Sequence, residues 1–177
     1  MTDWVALLRG VNVGGITIRS ADLAGVFREL GFDAVRTVLA SGNVAFETDD
    51  APDHRATLKT QIEGALRTRF GYDAWILLIT RDELARAIDG FPFDATDAGR
   101  QPWVVFCVDD ATRDELMDAA APLDDSVDPV AAASGVVYWN PEKGSSTDTP
   151  FAKVLAKRSF KPRTTNRNLR TLLKILG

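Results

Sequence analysis

The chain is poor in the residues that build disulfides and metal centres. Its 177 residues include one cysteine, Cys107, and one histidine, His54. A single cysteine excludes an internal disulfide and fits a reducing compartment. One residue of each type also excludes a Cys/His zinc site within one chain. The aspartates Asp49, Asp50 and Asp53, and again Asp124, Asp125 and Asp128, lack the spacing of an EF-hand loop. They read as solvated loops and helix caps, so neither a metal nor a cofactor is expected. No apolar run reaches the roughly 18 residues that suggest a membrane span. The opening MTDWVALLRG has no basic stretch ahead of its apolar run, unlike a secretory leader. A cytoplasmic protein with no membrane partner is expected.

Several catalytic and nucleotide-binding signatures are missing too. Neither G-x-G-x-x-G nor G-x-x-x-x-G-K-[ST] occurs, so neither phosphate-cradling fingerprint is present. No serine sits in G-x-S-x-G, and His54 falls at a helix start far along the chain from the polar loops described below. No nucleophile–base pair is evident. Cys107 lies in an apolar strand and reads as a packing residue.

Acid is missing from the C-terminal end. From Phe151 to Gly177 there are eight basic residues (Lys153, Lys157, Arg158, Lys161, Arg163, Arg167, Arg170, Lys174) and no Asp or Glu. The whole chain carries −4. This segment is therefore +8 and residues 1–150 carry −12. Such asymmetry raises nucleic-acid binding, although a solvated face or docking on the acidic remainder is the favoured explanation.

What is present is a repeating order of elements. Trp4 to Arg9 reads as a buried strand ending in a charge. Ser20 can cap a helix carrying Leu23, Val26, Phe27 and Leu30, stopped by Gly31. Phe32–Leu39 and Asn43–Thr48 read as a hairpin bent at Ser41, Gly42 and Asn43. Asp53 can cap a second helix with Leu58, Ile62, Leu66 and Phe70 on one face and Gly71 beyond it. Trp75–Thr80 (WILLIT) is a fourth strand. The order βαββαβ is that of a ferredoxin-like unit. Thr80 and Glu83 form a capping box for a short helix.

The order then restarts after GFPFDATDAGRQP. Trp103–Val108 reads as a strand, Ala111–Ala120 as a helix, and Ser126–Ala132 with Gly135–Asn140 as a second hairpin. Thr149-Pro150 is a strong helix start. A final helix from about Arg167 carries Leu169, Leu172, Leu173 and Leu176. The stretch Ala40-Ser41-Gly42-Asn43-Val44-Ala45-Phe46 matches Ala133-Ser134-Gly135-Val136-Val137-Tyr138-Trp139 in character, which suggests an internal duplication. The expected fold is α+β: two ferredoxin-like units, the second incomplete with a helix replacing its last strand, followed by C-terminal helices. The expected boundaries are 1–90 for the first unit, 91–101 for a linker and 102–177 for the second.

In a ferredoxin-like sheet the order is 4-1-3-2, so strand 1 runs antiparallel to strand 3. The end of strand 1 (Arg9, Gly10, Asn12, Gly14, Gly15) should then meet the start of strand 3 (Ser41, Gly42, Asn43). Arg9 offers a planar donor fork suited to phosphate or carboxylate. Asn12, Ser41 and Asn43 can donate and accept. Gly14 and Gly15 allow close backbone approach to a ligand. Ordinary turn chemistry is the competing explanation.

The loop from Glu142 to Thr149 leads into a helix start and reads mainly as capping. An RNA-recognition module shares the βαββαβ order but stacks bases on strand aromatics. Here NVAFET holds one aromatic and the RNP1 pattern is absent.

Three motifs together, ALLRGVNVGG, ASGNVAF and the C-terminal Thr165, Arg167, Asn168, Thr171, Lys174 spacing, resemble the bacterial domain-of-unknown-function family 1697. The likeness spans essentially the whole chain. It implies an α+β fold with two ferredoxin-like portions, and it brings no activity with it. It marks Arg9, Gly10, Asn12, Gly14, Gly15, Ser41, Gly42 and Asn43, then Arg167 and Asn168. Relatives often have tryptophan where this chain has Leu169. They often carry Ser-Lys after a glycine where this chain has Gly144-Ser145-Ser146-Thr147.

Three functions remain. The first is binding of a small anionic ligand, bearing phosphate or carboxylate, through Arg9, Asn12, Gly14, Gly15, Ser41, Gly42 and Asn43. The second, less favoured, is nucleic-acid or anion contact through Arg167, Asn168, Arg170 and Lys174. The third is an enzyme of unknown reaction, which the missing nucleophile–base pair counts against.

Overall fold

The computed structural model describes residues 1–11, 17–39 and 42–177. The chain divides into two compact units, Met1–Leu84 with Lys174–Gly177, and Ala85–Leu173.

The first unit runs β1 (Thr2–Arg9), α1 (Ser20–Glu29), β2 (Asp33–Thr37), β3 (Asn43–Thr48), α2 (Arg55–Phe70) and β4 (Trp75–Thr80). Its strands form one antiparallel sheet in the order β2-β3-β1-β4. Alternate residues of β1 (Trp4, Ala6 and Leu8) join Val44, Phe46, Ile76 and Leu78 in a core with Phe27, Leu58, Ile62 and Leu66. Val5 and Leu7, on the other face, are buried as well. Burial on both faces explains why β1 reads as a continuous apolar run. Phe27, Phe32 and Phe46 form a ring cluster with centroids 4.7 to 6.1 Å apart.

Local signals act as their chemistry predicts in some places. Thr80 Oγ1 accepts from the Glu83 N–H, and Glu83 accepts from the Thr80 N–H at 2.8 Å, a complete capping box. Gly71 ends α2 at φ +67. The two N-terminal caps differ from expectation. Ser20 is the first residue of α1 and extended Arg19 precedes it with no side-chain cap bond. Asp53 sits in a 3₁₀ turn, Pro52–His54, and does not cap α2. Pro52 opens that turn, and its carbonyl accepts the N–H of Arg55, so the helix is entered without a side-chain acceptor. β2 is shorter than expected. Its pairing slips between Asp33 and Arg36, with Ala34 at φ +47, as at a bulge.

The second unit takes in part of α3 (Arg81–Asp89), then β5 (Trp103–Cys107), α4 (Asp110–Ala120), β6 (Val130–Ala133), β7 (Val136–Trp139), α5 (Pro150–Leu155), β8 (Thr164–Asn168) and the start of α6 (Leu169–Leu176). Its antiparallel sheet has the order β6-β7-β5-β8. Val105, Cys107, Leu116, Val137, Trp139 and Phe151 build its core.

The second sheet is complete, which corrects the expectation of a missing last strand. β8 pairs with β5 from Trp103↔Asn168 to Cys107↔Thr164. Its sequence, TTNRN, has no apolar residue, so hydrophobic alternation cannot reveal it. Two β-branched threonines favour a strand, and Thr164, Thr165 and Arg167 are buried. Arg167 donates to Thr165 Oγ1 at 2.7 Å and to the Asn166 carbonyl at 3.0 Å, two bonds within its own strand. The final helix accordingly starts at Leu169, and Arg167 does not share a helix face with Arg170 and Lys174.

Residues 91–101 lie within the second unit. Gln101 N–H donates to the Pro141 carbonyl, Lys143 N–H to the Gly99 carbonyl, and Arg100 bridges to Glu142. Phe91 packs edge-on against Tyr138, whose hydroxyl donates to the Ala87 carbonyl at 2.7 Å.

The two hairpin bends hold the same place in their sheets. Leu7 pairs with Asn43, and Phe106 pairs with Val136. One residue on, Leu8 N–H donates to the Gly42 carbonyl at 2.8 Å, and Cys107 N–H donates to the Gly135 carbonyl at 2.9 Å. Gly42 and Gly135 have φ of +79° and +72°.

Candidate functional site

The end of β1 and the start of β3 meet, as antiparallel pairing requires. Gly42 is pressed against β1. A Cβ added there would lie 2.9 Å from Leu8 Cβ and 3.3 Å from Val11 Cβ. Only glycine combines that contact with a φ of +79°. Asn43 is fully buried, and its amide donates to the Val38 carbonyl at 2.9 Å. Val38 N–H donates back to the Asn43 carbonyl at 2.9 Å. Asn43 thus closes the hairpin from within. Leu39, just outside this closure, is half exposed at φ +59, a backbone conformation that costs a non-glycine residue energy.

Arg9 ends β1 opposite Trp75. It is partly buried, and desolvation pulls its pKa below that of an ordinary arginine. Gly10 follows at φ +75 and Val11 is buried. Asn12, Gly14, Gly15 and Ser41 lie outside the described residues.

Two groups near this end of the sheet were not anticipated. Lys59 lies 5.2 Å from the centre of the Trp75 ring and 3.7 Å from Glu63. Glu63 in turn accepts the Ile76 N–H at 3.1 Å. The i, i+4 spacing of Lys59 and Glu63 was the available signal; the cation–ring contact was not readable. Tyr72, three residues ahead of Trp75, has a buried hydroxyl with no hydrogen-bond partner among the described residues. Desolvation raises its pKa, so at neutral pH it is a protonated donor.

The basic residues are separated rather than assembled. Arg167 is buried in β8, while Asn168 accepts from the Arg170 N–H at 2.9 Å and caps the start of α6. Arg170 and Lys174 are exposed on α6. Arg163 is engaged by Glu115, by Thr112 Oγ1 and by the Ser159 carbonyl.

The stretch 142–149 lines an open cleft of about 340 Å³ with Arg100 and Ser126. Arg100 donates there to the Asn140 and Ser126 carbonyls. Capping occupies the helix start beyond it. Thr149 Oγ1 accepts the Ala152 N–H, and the buried Asp128 carboxylate accepts both the Phe151 N–H at 3.1 Å and the Trp139 indole N–H at 2.8 Å. Burial pushes the Cys107 thiol up to about 12, so it is a protonated, unreactive group. Among the described residues no group of three or more His, Cys, Asp or Glu side chains could hold a metal ion. No helix of the described residues is long and apolar enough to cross a membrane.

Two four-stranded antiparallel sheets with six α-helices among the described residues define a mixed α and β protein. The chain belongs to the family described as "Protein of unknown function (DUF1697)", whose model matches residues 1–138. It is also similar in structure to "conserved bacterial protein SP0830 from Streptococcus pneumoniae", with a TM-score of 0.81 and 22% identity over 99% of this chain and 97% of that one. At that identity the likeness establishes the fold alone. No curated protein matches the chain.

Proposed function

We propose that the chain is a duplicated pair of ferredoxin-like units, and that the first has become a cytoplasmic binding site for a small anion bearing phosphate or carboxylate. The ligand would sit at the end of β1, with Arg9 as its charge partner and the loops containing Asn12, Gly14, Gly15, Ser41 and Gly42 around it. Asn43 would hold the hairpin in shape.

One observation carries this reading. Counting from the matched glycine bonds, the second unit has Val108 where the first has Arg9, and Val136 where the first has Asn43. The same strand end and hairpin bend are therefore built with valines. Asn43 has a local task in the longer first hairpin, whose bend lies outside the Val38–Asn43 pair. The half-buried guanidinium of Arg9 costs desolvation, and an anion binding site is a reason to keep it.

The test is thermal unfolding of wild type and Arg9→Val with inorganic phosphate, pyrophosphate, citrate and nucleoside monophosphates. A ligand at 100 times its dissociation constant adds about 2.7 kcal/mol to the folded state. The expected result is anion-induced stabilisation of wild type and none of the variant. A variant that loses stability without ligand, while no anion stabilises wild type, assigns Arg9 to the fold and rejects the proposal.

A further inference from the structure

The basic C-terminal segment has a second layer, independent of the Arg9 site. Of its eight cations, Arg163 is held by Glu115 and Arg167 is buried in β8. Four of the remainder fall within one short stretch of the second unit: Lys153, Lys157, Arg158 and Lys161, all exposed. Between and beneath them Phe151, Ala152, Val154, Leu155 and Phe160 are buried. Helical turns continue past α5, since Lys157 N–H donates to Val154 and the N–H groups of Phe160 and Lys161 donate to Lys157. The cations thus follow one another at i, i+4, i+5 and i+8 over an anchored scaffold.

None of the four makes an ion pair or side-chain hydrogen bond with a described residue. The acids of the neighbouring helix α4 are largely engaged elsewhere. Arg113 pairs with Asp110 and Asp114 at 2.9 Å, and Arg163 takes Glu115. Asp118 remains. Two arginines thus pair with three of the four acids of α4.

We propose that Lys153, Lys157, Arg158 and Lys161 form a docking surface for the phosphodiester backbone of a nucleic acid, read without sequence preference. Charge complementarity defines the class. Residues exposed among the cations are Ala156, Ser159 and Pro162, so the patch has no aromatic or large aliphatic anchor. A protein interface depends on such anchors, and a membrane-surface helix needs an apolar face to insert. Phosphate contact needs only cations at suitable spacing, and supplies positioning without base readout. This surface also differs from the Arg167, Asn168, Arg170 and Lys174 set suggested by sequence.

The test is fluorescence anisotropy of a labelled 20-base-pair duplex of arbitrary sequence across a salt series. Four phosphate contacts predict a slope of log K against log salt near −3.6, a loss of about 150-fold between 50 and 200 mM salt. Lys157→Gln with Lys161→Gln should bring the slope to about −1.8 and weaken binding of unrelated duplexes equally. An Arg69→Gln variant, a charge change outside the segment, should bind as wild type does. Unfolding temperatures of all three proteins should agree, because the substituted side chains are exposed. No saturable binding at 20 mM salt overturns the proposal, as does a slope unchanged by the paired substitutions. Binding to phosphatidylserine vesicles but not to the duplex overturns it in favour of a lipid surface, and binding to polyglutamate but not the duplex in favour of an acidic protein.

Discussion

Gly42 lies so close to Leu8 that a single added methyl would sit 2.9 Å from the Leu8 Cβ. The same glycine lends its carbonyl to the Leu8 N–H at 2.8 Å. The hairpin is thus sealed to β1 by a bond and by a contact that only a missing side chain permits. Gly135 makes the equivalent bond to Cys107, yet a Cβ there would meet nothing within 4 Å. Both positions have positive φ. Gly135→Ala should therefore cost about 1–2 kcal/mol from backbone strain alone. Gly42→Ala adds overpacking of about 1–3 kcal/mol. Denaturant unfolding of the two variants measures the gap, and equal losses would mean that β1 and the hairpin part readily.

Asp128 is 2% exposed and serves two donors from different elements, the Trp139 indole and the Phe151 N–H. Removing the carboxylate strands both in a closed core. Asp128→Ala should cost about 1–3 kcal/mol for each orphaned donor. Asp128→Asn keeps one good acceptor and should fall between. Chemical denaturation checks the order; an alanine variant as stable as wild type would show that water replaces the carboxylate.

The first sheet is largely legible because its signals are apolar and local. WILLIT and NVAFET are strands as expected, and the pairing of β1 with β3 follows from element order. β8 was hidden because TTNRN has no apolar residue to alternate and only the branching of its threonines to mark a strand. Asp128 was hidden for a related reason: three nearby aspartates look alike in sequence, and only packing selects the one that is buried. At the candidate site, the meeting of Gly42 with β1 followed from topology. Lys59 over Trp75 and the buried Tyr72 hydroxyl depend on how α2 lies on the sheet, which residue spacing does not encode.

Glu83 joins the capping box to an ion pair, receiving the Thr80 N–H and a hydrogen bond from Arg55 at 2.7 Å. Burial pushes its pKa up, but the hydrogen bonds from Arg55 and Thr80, with the Arg55 charge, outweigh this and hold it below the ordinary value. A depressed carboxyl pKa stabilises the folded state above the unfolded-state value, about 4.3. The benefit is lost as pH falls through the folded value. Glu83→Gln should therefore be less stable than wild type at pH 7, with the difference shrinking below about pH 4. The pair is partly exposed, so salt should also narrow it. Unfolding temperatures from pH 3 to 8 test this; a difference that grows toward low pH contradicts it.

Arg36 closes the last turn of α6. Its guanidinium donates to the Ile175 carbonyl at 2.6 Å and to the Lys174 carbonyl at 3.4 Å. Final helical carbonyls have no intrahelical donor, and a cation beside them also meets the negative end of the helix dipole. Ile175 is buried while Arg36 is exposed, so the clamp lies over an already packed residue. Arg36→Ala should leave the sheet intact, cost about 0.3–1 kcal/mol, and loosen the terminal turn first. Amide exchange distinguishes local from global loss. Protection should fall at Ile175 and Leu176, whose N–H groups open when the turn frays, while β1 amides such as Leu7 keep wild-type rates. Uniformly faster exchange across β1 and α6 would mean instead that Arg36 supports the whole first unit.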